Sequence, residues 1–213
     1  MLIAIDGPAA SGKGTLSRLI AAHYGLPHLD TGKLYRAVAH DTLAAGRNAA
    51  DADAALAAAK ALDPATLDDP KLMGGRLGEA ASIVASHPGV REALRAYQRA
   101  FAGQASGAII DGRDIGTVIC PDADVKLFVT ASAETRALRR YRELREAGHN
   151  VTEAEILADI ERRDERDKTR AISPLRKARD AYLLDTTNLD IDAAFKAAIA
   201  LIDAAMGRAG RAG

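Results

Sequence analysis

Lys13 and Thr15 lie in the run Gly7-Pro8-Ala9-Ala10-Ser11-Gly12-Lys13-Gly14-Thr15. It directly follows the apolar stretch Leu2-Ile3-Ala4-Ile5 and precedes helical spacing at Leu16, Leu19 and Ile20. A strand, a glycine-rich loop and a helix in that order form the setting in which backbone amides converge on phosphate. Glycines let the chain turn tightly and present successive N–H groups to one point. The helix start adds the positive end of its dipole. Lys13 would bring a full charge to the β and γ phosphates of a nucleotide, and Thr15 a hydroxyl for Mg²⁺.

Three further polar clusters are candidates for holding what receives the phosphoryl group. In Asp30-Thr31-Gly32-Lys33-Leu34-Tyr35-Arg36, Thr31 reads as a helix N-cap, with Arg36 about one turn into the helix. The apolar run Ala108-Ile109-Ile110 ends in Asp111-Gly112-Arg113-Asp114, then Gly116-Thr117. These residues suit contacts to a ligand or metal, or an Asx turn. In Ile160–Arg170, Arg163, Asp167 and Arg170 fall at i, i+4 and i+7 and share a helix face, with Arg166 close to it. Guanidinium groups on phosphate and a carboxylate on sugar hydroxyls would use such a face. So would ordinary surface ion pairs, which are worth little. Arg136, Arg139, Arg140 and Arg142 precede Ala147-Gly148-His149-Asn150. That helix–turn–helix has the outline of a small lid that would bring arginines onto phosphates and exclude water.

Short apolar runs predict strands at Leu2–Asp6, Ala108–Asp111, Val125–Val129 and Tyr182–Leu184, with a shorter one at Pro27–Leu29. Helical spacing covers about 13–24, 32–45, 51–62, 76–86, 89–102, 132–147, 152–170 and 190–206. The alternation implies an α/β fold with a parallel five-stranded sheet, helices on both faces, and a ligand site at the strands' carboxyl edge. Between Thr31 and about Gly103 no strand is evident. That Ala-rich stretch, broken at Asp63-Pro64, Asp69-Pro70, Gly74-Gly75 and His87-Pro88-Gly89, reads as an insertion beside the sheet. Ala49–Ala61 looks like a simple surface helix, and the tail from Gly207 is expected to fray.

At 213 residues the chain is expected to form one domain. A zero formal net charge gives no support for bulk attraction to nucleic acid or membrane. Arg outnumbers Lys by 21 to 8, as suits planar capture of phosphate oxygens. The single Cys120 excludes an internal disulfide, and the five histidines have no metal-ligand spacing. No signal peptide or membrane-spanning run is evident, so a cytoplasmic monomer is expected.

The chain resembles the bacterial cytidylate kinases over nearly its whole length. The segments that carry this are Gly7–Thr15, Asp30–Arg36, His87–Phe101 with its Val90-Arg91-Glu92-Ala93-Leu94, Asp111–Val118, and Glu161–Pro174. Gly14, placed between Lys13 and Thr15, is similar to the loops of nucleoside monophosphate kinases rather than those of GTPases or motor ATPases. The resemblance implies a P-loop three-layer sandwich that transfers the γ-phosphoryl of ATP to CMP or dCMP with Mg²⁺. The core would span about 1–30, 104–140 and 171–206, the acceptor-binding insertion about 31–103, and the lid about 141–170. It implies that Gly7–Thr15 bind ATP. Ser82, Arg91 and Asp114 match contacts to the cytosine edge, and Thr31 stands near the acceptor nucleoside. Arg36, Arg113 and Arg170 match positions holding the acceptor phosphate, and Arg163 and Asp167 match sugar-side contacts. Lys13, Arg113, Asp114, Arg140, Arg163 and Arg170 are the candidate catalytic set, with Thr15 at the metal and Asp111 or Asp114 holding metal-bound water. One departure stands out: long members carry a strand-rich insertion where Asp63–Gly78 is short and reads as turns and helix.

Three other readings differ in class. A P-loop kinase could act on UMP or on a sugar or shikimate-like acceptor. A nucleotide-dependent switch would need an N-K-x-D segment, which is absent from the sequence. A binding module would leave its arginines merely ion-paired.

Overall fold

A computed structural model of the chain describes residues 1–72 and 75–209. Five strands, β1 (Leu2–Asp6), β2 (His28–Asp30), β3 (Ala108–Gly112), β4 (Val125–Thr130) and β5 (Tyr182–Asp185), form one sheet in the order β2-β3-β1-β4-β5. Every neighbouring pair is parallel. The helices are α1 (Lys13–Tyr24), α2 (Thr31–Ala44), α3 (Ala52–Lys60), α4 (Gly75–Val84), α5 (Pro88–Ala102), α6 (Ala133–Glu146), α7 (Glu153–Thr169) and α8 (Ile191–Ala209). Each predicted strand and helix is present, with ends shifted by a few residues. None of the described helices is long and apolar enough to cross a membrane.

Period-two alternation gives the sheet two apolar faces. Ile3, Ile5, Ile109 and Leu127 pack with Leu16 and Ile20 of α1 and Ala198 and Ile202 of α8. Ala4, Ala108 and Ile110 face the other way, beside Ile115, Ile119 and Phe101 of α5. A separate apolar cluster joins Leu34, Val38, Ala55, Ala59, Val84, Val90 and Leu94 of α2–α5. A smaller one joins Ala137, Leu144, Ile156 and Ile160 of α6 and α7.

Parallel register brings the strands' carboxyl ends level. Asp6 pairs with Gly112, and Asp30 with Asp111. The phosphate loop leaves β1 at Gly7, where a Cβ would lie 2.0 Å from the carbonyl oxygen of Val129 on β4. Only glycine lets the loop turn that close to the sheet.

The structure changes several expectations. α3 is not a simple surface helix: Ala55 and Ala59 are buried, because small side chains let it lie close to α2 and α5. The tail does not fray at Gly207, since α8 continues to Ala209; Gly210 and Gly213 lie outside the described residues, as does Gly74 of the Gly74-Gly75 break. Asp63–Gly78 is unchanged from expectation: turns and helix, with 3-10 turns at Pro64–Thr66 and Pro70–Leu72 and then the start of α4. Helix α2 is capped by Asp30, whose carboxylate accepts from the Gly32 N–H at 2.8 Å. Thr31 is the first residue of α2 rather than its cap, and its hydroxyl donates to the carbonyl of Asp111 at 2.8 Å.

Candidate active site

The carboxyl edge of the sheet opens on a cleft whose lining carries six cationic side chains, Lys13, Arg36, Arg91, Arg113, Arg163 and Arg170. Four carboxylates share the lining: Asp30, Asp111, Asp114 and Asp167. The excess of two positive charges suits a dianion. Each of the three polar clusters and the glycine loop named from the sequence contributes. Lys13 and Gly14 come from the loop and α1, Thr31 and Arg36 from α2, Ser82 from α4, Arg91 from α5, and Arg113 and Asp114 from the end of β3. Arg163 and Asp167 project from α7, and Arg170 follows it.

The groups are tied into a network. Arg91 donates to Asp114 at 2.5 Å, with both side chains buried. Arg170 lies 3.8 Å from Asp114 and 3.8 Å from Asp167. Arg113 Nε donates to Asp167 at 2.8 Å. Arg36 pairs with Asp30 at 2.9 Å. Burial alone would raise the Asp167 carboxyl, but Arg113, Arg170 and Arg163 hold it below the usual carboxylate range. Arg163 is pushed down to about 10, first by burial and then by Arg113, and its Nε finds no partner among the described residues. Lys13 is pushed down to about 8, by desolvation first and Arg113 second. Crowded cations of this kind wait for anionic oxygens.

On the other side of the loop a second, more apolar cleft is lined by Ser11, Gly12, Thr15 and Leu16 with Arg139, Thr186, Leu189, Asp190, Ile191 and Ala194. The glycine loop therefore stands between two cavities. Gly12, with φ +83°, precedes α1, and Ala10 also takes a left-handed φ of 57°. Ala9 is anchored through its carbonyl, which accepts from Arg136 at 3.1 Å. Pro8 lies in the same loop.

The arginines predicted for a lid divide. Arg136 is buried against Asp164 of α7, with bonds of 3.0 and 2.6 Å. Arg139 donates to Thr186 and to the carbonyl of Leu189. Arg140 pairs with Glu143 at 3.0 Å and does not line the first cleft; Arg142 is exposed. Asp114 pairs with Arg91 and lies 3.8 Å from Arg170, while Asp111 pairs with His28. Both carboxylates line the first cleft.

Sequence reasoning passed over Asp6 and His28, and quoted Asp30 and Tyr35 in a candidate cluster without giving them a role. Asp6, at the end of β1, accepts from Ile115 and Gly116 at 2.8 Å each and holds a π-helical turn, Ile115–Ile119, behind Asp114. Burial raises its carboxyl to about 7 despite those two N–H groups. A carboxyl ending an apolar strand just before the loop was the available signal. His28 lies 2.7 Å from Asp111, and Tyr35 lies under Arg91 with the guanidinium carbon 5.5 Å from its ring centre. Asp30 caps α2 and pairs with Arg36.

Residues 3–204 match the family model described as Cytidylate kinase. The chain is 60% identical over 211 residues to the cytidylate kinase of Xanthobacter autotrophicus, covering 99% of this chain and 100% of that one. It is 57% identical over 211 residues to that of a Bradyrhizobium species, covering 99% of each. It is 58% identical over 205 residues to that of Methylocella silvestris, covering 96% of this chain and 95% of that one. The fold is similar to a solved structure of an uncharacterized protein from Eubacterium ventriosum, with a TM-score of 0.56 at 18% identity, covering 95% of this chain and 98% of that one. With a phosphate loop set beside an arginine-lined cleft and near-full-length identity to these relatives, the chain belongs to the cytidylate kinase family.

Proposed function

We propose that the protein transfers the γ-phosphoryl group of ATP to CMP and dCMP, giving CDP and dCDP. The observation that carries this reading is the net-cationic cleft beside Lys13, which assembles polar groups from six elements of the chain. In this reading the donor's phosphates lie along Gly7–Thr15, and its base enters the more apolar cleft at Arg139 and Leu189. The acceptor phosphate meets Arg36, Arg113 and Arg170. The sugar lies toward Arg163 and Asp167, and the base toward Ser82, Arg91 and Asp114. Cytosine offers an N4 amino donor and N3 and O2 acceptors, so a carboxylate with Arg and Ser groups distinguishes it from uracil.

A nucleoside monophosphate is already largely dianionic at neutral pH, its second pKa being near 6. No general base is needed, and none is assigned. Lys13 and the arginines align the two nucleotides and neutralise charge as it moves between them. Mg²⁺ takes one or two protein oxygens and completes its shell with phosphate oxygens and water. The exposed Thr15 hydroxyl would offer one such oxygen, and the Asp111 and Asp114 carboxylates of the first cleft would be candidates for holding metal-bound water. When bound it would neutralise charge on the β and γ phosphates.

The separate apolar cluster of α2–α5 supports reading about 31–103 as an acceptor-binding insertion, and the α6–α7 cluster supports a lid over about 141–170. The core would then be about 1–30, 104–140 and 171–206.

A coupled assay of ADP release over CMP, dCMP, UMP, AMP and GMP tests the function. CMP and dCMP should be phosphorylated with the highest kcat/KM. Equal or better use of UMP or a purine nucleotide would overturn the assignment.

A further inference from the structure

Arg166 lies on α7 beside the acceptor face but does not line the cleft. Its guanidinium forks onto helix α4. Nη1 donates to the Ser82 hydroxyl at 2.8 Å, and Nη2 donates to Glu79 Oε1 at 2.6 Å. Glu79 sits three residues before Ser82, on the same side of α4. The Arg166 hydrogen bond holds the Glu79 carboxyl below its usual range. The two helices meet here, with Gly78 of α4 facing Arg163 of α7: a Cβ at Gly78 would be in ordinary contact, 3.4 Å from Nη1 of Arg163.

Ser82 is nearly buried and lines the cleft. A hydroxyl has one proton and two lone pairs. Arg166 occupies one lone pair with a charged donor, and among the described residues nothing accepts the Ser82 proton. A charged donor on the oxygen polarises the O–H bond, making the hydroxyl a better donor and a poorer acceptor.

We propose that the Glu79–Arg166 pair fixes Ser82 as a hydrogen-bond donor toward the acceptor base, which makes Arg166 a specificity-determining positioning residue. The proposal rests on the CMP reading of the cleft. Cytosine presents N3 and O2 as acceptors and gains from such a donor. Uracil presents N3–H, which needs an acceptor and meets a hydroxyl already biased against that role. Discrimination therefore includes a penalty on the wrong base as well as a contact with the right one. Arg166 acts through Ser82 from behind the wall of the cleft and touches neither nucleotide.

The test is a double-mutant cycle read as the ratio of kcat/KM for CMP to that for UMP. The variants are Arg166→Met, Ser82→Ala and the pair together. Arg166→Met should lower the ratio about tenfold, the scale of one hydrogen bond involving a charged group. KM for ATP should stay unchanged. Ser82→Ala should lower the ratio by a similar factor, and the double variant should lower it no further. Glu79→Gln, a milder change at a more exposed position, should move the ratio the same way by a smaller factor. Loss of CMP and UMP activity in equal proportion would overturn the proposal, because it would mark a purely structural strut. Multiplying effects in the double variant would overturn it too. A wild-type enzyme with no CMP preference would remove the underlying reading instead, and the two failures are thereby distinguished.

Discussion

Lys13 is held among Arg113, Arg163 and two carboxylates at a cost that phosphate would remove. Its ammonium is pushed down to about 8, with burial the larger cause and Arg113 next. Triphosphate binding should restore the charge, so above about pH 8 binding must take up a proton and affinity must fall as pH rises. Calorimetry of ATP binding at about pH 9, in buffers of different ionisation enthalpy, should show uptake approaching one proton. Lys13→Met should abolish it, and an equal uptake in that variant would assign the proton elsewhere. Residues of this kind were readable in the sequence where their partners are local. The loop spacing pointed to Lys13 and Thr15, and helical periodicity put Arg163, Asp167 and Arg170 on one face. The roles of Asp6, His28 and Tyr35 were not readable, because they depend on Gly116, Asp111 and Arg91, far away in the chain. Arg140 pairs with Glu143 one turn on, and its charge is still felt at Arg163 in the cleft.

At the scale of elements, Arg136 joins α6, α7 and the phosphate loop. Its guanidinium meets Asp164 through two hydrogen bonds and also donates to the carbonyls of Ala9 and Ala131. Removing it leaves a largely buried carboxylate without its partner. Arg136→Met should cost about 3–5 kcal/mol and lower Tm by roughly ten degrees for a chain of this size. Helix content by circular dichroism should be unchanged. A Tm within a degree or two of wild type would show that Asp164 is hydrated rather than dependent on Arg136. Strands and helices were legible because their apolar periods are strong and their breaks fall at Gly and Pro. The π-helical turn Ile115–Ile119 was not: Gly116-Thr117 read as part of a polar turn after the strand, and the turn depends on the distant Asp6 capturing the Ile115 and Gly116 N–H groups. The cap of α2 was misplaced by one residue because Asp30 and Thr31 are both good capping types. What decides between them is the Asp111 carbonyl, which takes the Thr31 hydroxyl.

For the whole molecule, parallel strand order sets the chemistry. Placing β1 centrally, with β3 and β4 on either side, delivers the loop, the Asp111–Asp114 segment and the helices after them to one edge. The alternation of strand and helix foretold this sheet. It did not foretell that the glycine loop separates two cavities of different character, one crowded with guanidinium groups and one more apolar. The account's central claim is that both cavities are nucleotide sites spanned by a single transfer path. Equilibrium binding of a dinucleotide that joins adenosine and cytidine through a polyphosphate bridge tests it most directly. The two-headed ligand should bind at least a hundredfold more tightly than ATP or CMP alone, as expected when one binding event preorganises the other. Affinity no greater than that of ATP would contradict the claim.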